Sequence, residues 1–250
     1  MKKLLTSIAL SGALFASSMQ LLPVNKAKEI LNASIFKIQP YYRFLARKGV
    51  IKYKVYKSDD FYVVKLSANG GSEVYYVTLD KKYTVSGNVI DNSKGSYLVP
   101  PANKKIVDNG VVFTFGKGKK DIYVVTDPEC PFCRRLEREK GKYLEEHYRI
   151  HVIFMPLVNI HKDAVPMIYY ILAGKTKAEQ IKRFKEVLKG SNAWKNYHPT
   201  KEEKEKFNKI IVKSIQAANE LGASGTPSVY NDKLKPIDNW KKIGEEKWVL

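Results

Sequence analysis

The sequence predicts an α+β unit followed by an α/β unit. Three observations lead there. A helical pattern over residues 25–48 gives way at Ile51 to strict alternation, as in Ile51-Lys52-Tyr53-Lys54-Val55. Apolar runs at Ile122 to Val125 and Ile150 to Met155 flank a helical stretch, the pattern of a βαβ unit. Residues 162–221 then read as almost wholly helical before a short return strand at Ser228 to Tyr230.

Residues 1–18 read as a secretory signal: Lys2 and Lys3 form the charged start, Leu4 to Phe15 the apolar segment, and Ala16-Ser17-Ser18 a small-residue cleavage site. The apolar part is too short for a permanent span. No Cys follows it, which argues against a lipoprotein. The expected setting is an exported, oxidising one, where a cysteine pair can cycle between dithiol and disulfide.

In the first unit, Ala27, Ile30, Leu31 and Ile35 share roughly one helix face. Strands follow at residues 51–55, 61–66 and 73–79, with Tyr83 to Val85 completing an antiparallel meander. Turns fall at Ser58-Asp59-Asp60, Asn69-Gly70-Gly71 and Asp80-Lys81-Lys82. So small a unit buries little core, so docking or dimerisation would help it, and its last strand is a candidate edge for a second copy. Residues 91–117 read as a connector, opened by Asn92, Ser93 and Gly95, stiffened by Pro100-Pro101 and followed by Gly110 and Gly116, with a short helix at Asn103 to Val107.

The second unit, residues 118–250, is expected to run strand 121–126, helix 131–146, strand 149–155. Three helices follow, on Ile168/Tyr169/Ile171/Leu172, on Ile181/Phe184/Leu188, and on Phe207/Ile210/Ile211/Ile215. Thr200 with Glu203 three residues on is a capping box for the third, and Gly222 ends it. In Gly225-Thr226-Pro227, composition alone favours a trans proline in a turn. The tail from Asp238 is weakly helical.

The net charge is +19, and +17 without Lys2 and Lys3. Most lysines alternate with apolar residues or lie on helix faces, and no dense basic block is present. A solvated basic surface is therefore favoured over a nucleic-acid site.

Cys130 and Cys133 are the only two cysteines, so there is no separate structural disulfide. Asp127 and Pro128 break the strand before them, and Pro131 sits where a first helical residue would. Cys130 is then the N-cap, its sulfur near unpaired backbone donors and the positive end of the helix dipole. That setting favours the thiolate, which is the nucleophile, and makes Cys130 a better leaving group. Cys133, one turn inside, would be the shielded resolving thiol. Zinc is the competing reading, because His147-x3-His151 follows the cysteines at finger-like spacing. It fails on context: the helix starts at the cysteines, and His151 lies in a strand-like run.

Val125-Thr126-Asp127…Cys130-Pro131-Phe132-Cys133…Leu136 and Ser224-Gly225-Thr226-Pro227 together resemble the DsbC/DsbG family of periplasmic thiol:disulfide isomerases. Tyr76-Val77-Thr78…Gly87…Asp91 resembles the end of that family's dimerisation domain. The resemblance covers nearly all of the mature chain. It implies a C-terminal thioredoxin fold with a helical insertion at about 160–221, and a small N-terminal α+β (cystatin-like) dimerisation domain over 19–90. It implies a periplasmic homodimer with a cleft for unfolded or misoxidised exported proteins, kept reduced by a membrane reductase of the DsbD type. No cofactor, metal or nucleic acid enters. Thr226 and a cis Pro227 would lie against the cysteines and bind clients, and Pro131 and Phe132 would tune the site. Two departures stand out. The linker with Pro100-Pro101 is shorter than the family's linker helix. Pro131-Phe132 is closer to DsbG than to DsbC. The expected activity is disulfide isomerisation or reduction. The alternatives are a dimeric DsbA-like oxidase using the same residues, a holdase chaperone dominated by its cleft, and lastly a zinc-dependent nucleic-acid binder.

Overall fold

A computed structural model of the chain describes residues 19–68, 71–87, 89–92, 96–237 and 239–245. The signal segment at 1–18, the Asn69-Gly70 turn, Ser93, Gly95 and Asp238 lie outside them.

The first unit is a five-stranded antiparallel sheet in the order β1-β2-β3-β4-β5. Its strands are β1 (Gln20–Leu21), β2 (Lys52–Lys57), β3 (Phe61–Ala68), β4 (Gly71–Thr78) and β5 (Thr84–Ser86). The stretch read as one helix is three: α1 (Val24–Ala33), α2 (Ile35–Ile38) and α3 (Pro40–Arg47). The breaks have local causes. The Ser34 hydroxyl donates to Ile30 O at 2.6 Å, turning the chain at the end of α1, and Pro40 opens α3 at its first turn, where its missing N–H is not needed. Ala27, Ile30, Leu31 and Ile35 pack on Val55, Val64, Leu66 and Val77 from one face of the sheet.

Val63 and Lys65 point to the other face. The residues between the two units carry a hairpin, β6 (Ile90–Asp91) with β7 (Ser96–Tyr97), then α4 (Lys104–Asn109), capped by the Asn103 side chain, which accepts from Lys105 N. They also carry β8 (Phe113–Phe115), which pairs with the second sheet, so the chain enters that sheet ahead of Asp121.

The second sheet has the order β11-β9-β10-β8, with β9 (Lys120–Thr126), β10 (Tyr148–Phe154) and β11 (Ser228–Asn231). β9 and β10 are parallel and joined by α5 (Pro131–His147). β8 and β11 run antiparallel to their neighbours. Both faces are covered, which explains why β9 reads as a continuous apolar run. Ile122 and Val124 join the core under α5. So do residues of α6 (Ala164–Leu172) and α7 (Lys177–Leu188). Tyr123 and Val125 face α4 and α8 (Lys201–Glu220). The Thr200/Glu203 capping box opens α8 in full. Gly110 is required where α4 meets α8: a Cβ there would lie 2.4 Å from Ala217 Cβ.

The two units meet at α8. Lys65 Nζ lies 2.8 Å from Glu220 Oε2, with side-chain exposures of only 6% and 9%. Glu220 Oε1 also accepts from Asn103 N at 2.6 Å, tying in the segment before α4. Lys65 thus departs from the solvated role expected of alternating lysines: the sheet face it occupies is covered by α8. Removing one partner of such a pair leaves a buried charge uncompensated, which costs about 3–5 kcal/mol, whereas replacing both with apolar groups is often nearly neutral. Lys65→Met is therefore expected to lower urea-denaturation stability by about that amount, and Lys65→Met with Glu220→Leu to recover most of it. Equal losses in the single and double variants would show that the pair is not what holds this interface.

Candidate active site

The site is built where β9 ends. Its last residue, Thr126, and the next, Asp127, are buried. Cys130 N donates to Asp127 O at 3.1 Å, closing the turn, and Pro131 starts α5 with Cys130 as N-cap. Ser228 in β11 sits opposite Val125 in β9. That register brings Thr226 and Pro227, joined by a cis peptide bond, against the cysteines. The expectation from composition, a trans proline, is corrected.

The Cys130 thiol donates to Thr226 O at 3.3 Å. Cys130 makes no side-chain capping hydrogen bond, but the N–H groups of Phe132 and Cys133 act on its sulfur. Its pKa is held well below the ordinary thiol value, chiefly by the Cys133 thiol beside it, then by the Thr226 hydroxyl and those two N–H groups, against burial acting upward. Thr226 Oγ1 is buried and has no hydrogen-bond partner among the described residues. Cys133 is shifted the other way, by burial first and by Cys130 next, with partial relief from the Asp127 N–H and Thr126. The two thiols are thus divided into a nucleophile and a shielded partner.

Cys130, Cys133, Thr226 and Pro227 are together, and Pro131 and Phe132 form the exposed first turn between the cysteines, Phe132 being 59% exposed. His147 and His151, the ligands of the zinc alternative, are engaged elsewhere. His147 Nδ1 lies 2.9 Å from Tyr143 O, and His151 contacts Asp121 and Thr114.

Sequence reasoning missed Asp127 and His161 as partners. Asp127 is wholly buried. Its Oδ1 accepts from Glu129 N at 2.9 Å, and its Oδ2 accepts from Leu157 N at 2.8 Å and lies 2.8 Å from His161 Nδ1. Glu129 Oε2 accepts from Asp163 N at 2.7 Å. The loop after β10 is therefore fastened to the redox turn, and it carries the exposed Val158 and Ile160. The signal available was weak: an Asp in the strand-ending turn and a His in a loop, 34 residues apart.

Residues 114–233, from β8 through β11, match the family of thioredoxin-like domains. No curated protein sequence matches the chain. Among solved structures it is similar to a disulfide interchange protein from Neisseria gonorrhoeae, with 21% identity, 50% of this chain and 80% of that one covered, and a TM-score of 0.38. It is similar to Helicobacter pylori DsbG, with 14% identity, coverages of 76% and 97%, and a TM-score of 0.37. It is also similar to BdbD from Bacillus subtilis, with 14% identity, coverages of 56% and 89%, and a TM-score of 0.42. Among the described residues, no helix is long and apolar enough to cross a membrane.

The thiol asymmetry sets a pH dependence. Thiolate absorbance of the reduced protein should titrate well below the ordinary thiol value. Cys130→Ser should lose that transition, and Thr226→Val should move it upward. A depressed folded pKa contributes stability that is complete above the unfolded value of about 8.5 and is lost as pH falls through the folded one. Reduced wild type should therefore gain stability over reduced Cys130→Ser as pH rises through that window. A constant difference across it would show that Cys130 is an ordinary thiol.

Proposed function

We propose that this chain is an exported thiol:disulfide interchange protein that isomerises or reduces non-native disulfides through Cys130 and Cys133. The observation that carries this reading is the unequal setting of two buried thiols: Cys130, the N-cap of α5 in contact with Thr226 O, is favoured as thiolate, and Cys133, one turn inside the helix, is not. The Cys130 thiolate attacks a client disulfide, forms a mixed disulfide and releases one client thiolate. A second client thiol then displaces Cys130, which completes isomerisation. Alternatively, Cys133 loses its proton and attacks Cys130. The Cys130–Cys133 disulfide forms, and the client leaves reduced. Phe132, Val158 and Ile160 offer exposed apolar surface for unfolded clients.

A second reading, disulfide donation, is favoured by the same lowered thiol. Stabilising the thiolate stabilises the reduced form and makes the disulfide more oxidising. The steady-state redox state separates the two, read from acid-quenched cells by mass-tagging free thiols. Mostly dithiol supports the isomerase or reductase, in the periplasm and fed by a membrane reductase of the DsbD type. Mostly disulfide supports the oxidase. On the same gel, Cys133→Ser should accumulate mixed disulfides through Cys130, and a strain without such adducts would remove the exchange function altogether.

The N-terminal sheet suits pairing with a second copy. β5 is an edge strand, and Tyr83 and Val85 beside and within it are exposed. A homodimer would give clients two facing sites. Light scattering at micromolar concentration should return about twice the mass of the chain; a monomer mass would exclude the arrangement.

A further inference from the structure

We infer that His161 is a positioning residue for the resolving thiol, setting the rate at which Cys133 releases a client from Cys130. The inference rests on the exchange reading above and extends it to a residue outside the cysteine motif.

The contacts run in one continuous series. Asp127 N–H points at Cys133 Sγ, 3.5 Å away. Where that N–H sits is fixed by the Asp127 carboxylate, which is buried and held from three directions. Glu129 N belongs to the same turn, so it cannot anchor that turn to the rest of the molecule. The two outside contacts are Leu157 N and His161 Nδ1, both on Oδ2 and both from the loop after β10. His161 is the only one of these outside contacts made by a side chain. The Asp127 carboxylate is contacted once on Oδ1 and twice on Oδ2, which suits a brace between the turn and the loop.

Cys133 depends on this N–H more than an ordinary thiol would. Burial disfavours its thiolate, and few groups offset that; the Asp127 N–H is the largest of them. The resolving step needs the thiolate: Cys133 gives its proton to solvent, attacks the Cys130 sulfur and forms the Cys130–Cys133 bond, while the Cys130–client bond breaks and its electron pair leaves with the client sulfur. A displaced Asp127 N–H weakens stabilisation of that attacking anion, while the Cys133 thiol, Thr226 and the N–H groups of Phe132 and Cys133, which support the Cys130 thiolate, are retained. Slower resolution also gives a client thiol longer to displace Cys130. His161 therefore shifts the balance between reducing a client and isomerising it.

The test uses the reduced full-length protein and the disulfide probe 5,5′-dithiobis(2-nitrobenzoate) in stopped flow. Attack by Cys130 releases one coloured thiolate, and resolution by Cys133 releases a second. His161→Ala is expected to slow the second phase about tenfold, the effect of losing one hydrogen bond to a charged group, while the first stays within twofold of wild type. His161→Asn, whose amide can take the place of Nδ1 beside Asp127, should restore the second phase. If the Ala variant does not fold, His161→Gln, which fills the space but carries its amide past Asp127, takes its place in the comparison. A second phase within twofold of wild type, equal slowing of both phases, or no rescue by Asn overturns the inference. Wild type that releases only one thiolate would instead overturn the exchange reading itself.

Discussion

The contact between Cys130 Sγ and Thr226 O spans 96 residues of sequence, and the rest of the site depends on it. It requires β11 to return antiparallel beside β9, with Ser228 opposite Val125. That pairing requires the helices from α6 to α8 to carry the chain out and back, and it requires α8 to end at Gly222, whose φ of +73° lets the chain turn into the return segment. The helical segment between β10 and β11 is in this sense a long arm that delivers one backbone carbonyl and one hydroxyl to a sulfur atom.

Much of this was legible because it is written locally. The capping box of α8, the proline at the start of α5 and the alternation of β2 each reflect short-range chemistry, and each lies where the pattern put it. β1 and β8 were not legible, since two and three residues carry no period. The long helix expected over 25–48 failed at Ser34 and Pro40, residues whose own hydrogen-bonding habits outweigh an apolar face.

The remaining gaps are of one kind. Lys65 fell under the general expectation of a solvated basic surface, and Asp127 looked like a strand breaker. Each is buried against a partner that only the tertiary structure supplies: Glu220 for Lys65 and His161 for Asp127. Burying a charge is costly unless it is paired, and such pairing has no sequence period. A charge among apolar residues is therefore the least legible feature of a chain and one of the most specific features of its fold.

Lys65 precedes Glu220 by 155 residues, so the two units must both be in place before the pair can form. Until α8 packs on the first sheet the ammonium has no carboxylate beside it, and a lone charge on that face keeps its water. The first sheet can therefore close its helix-covered side alone, but its other side only with the second unit. The pair makes completion of one unit conditional on the other.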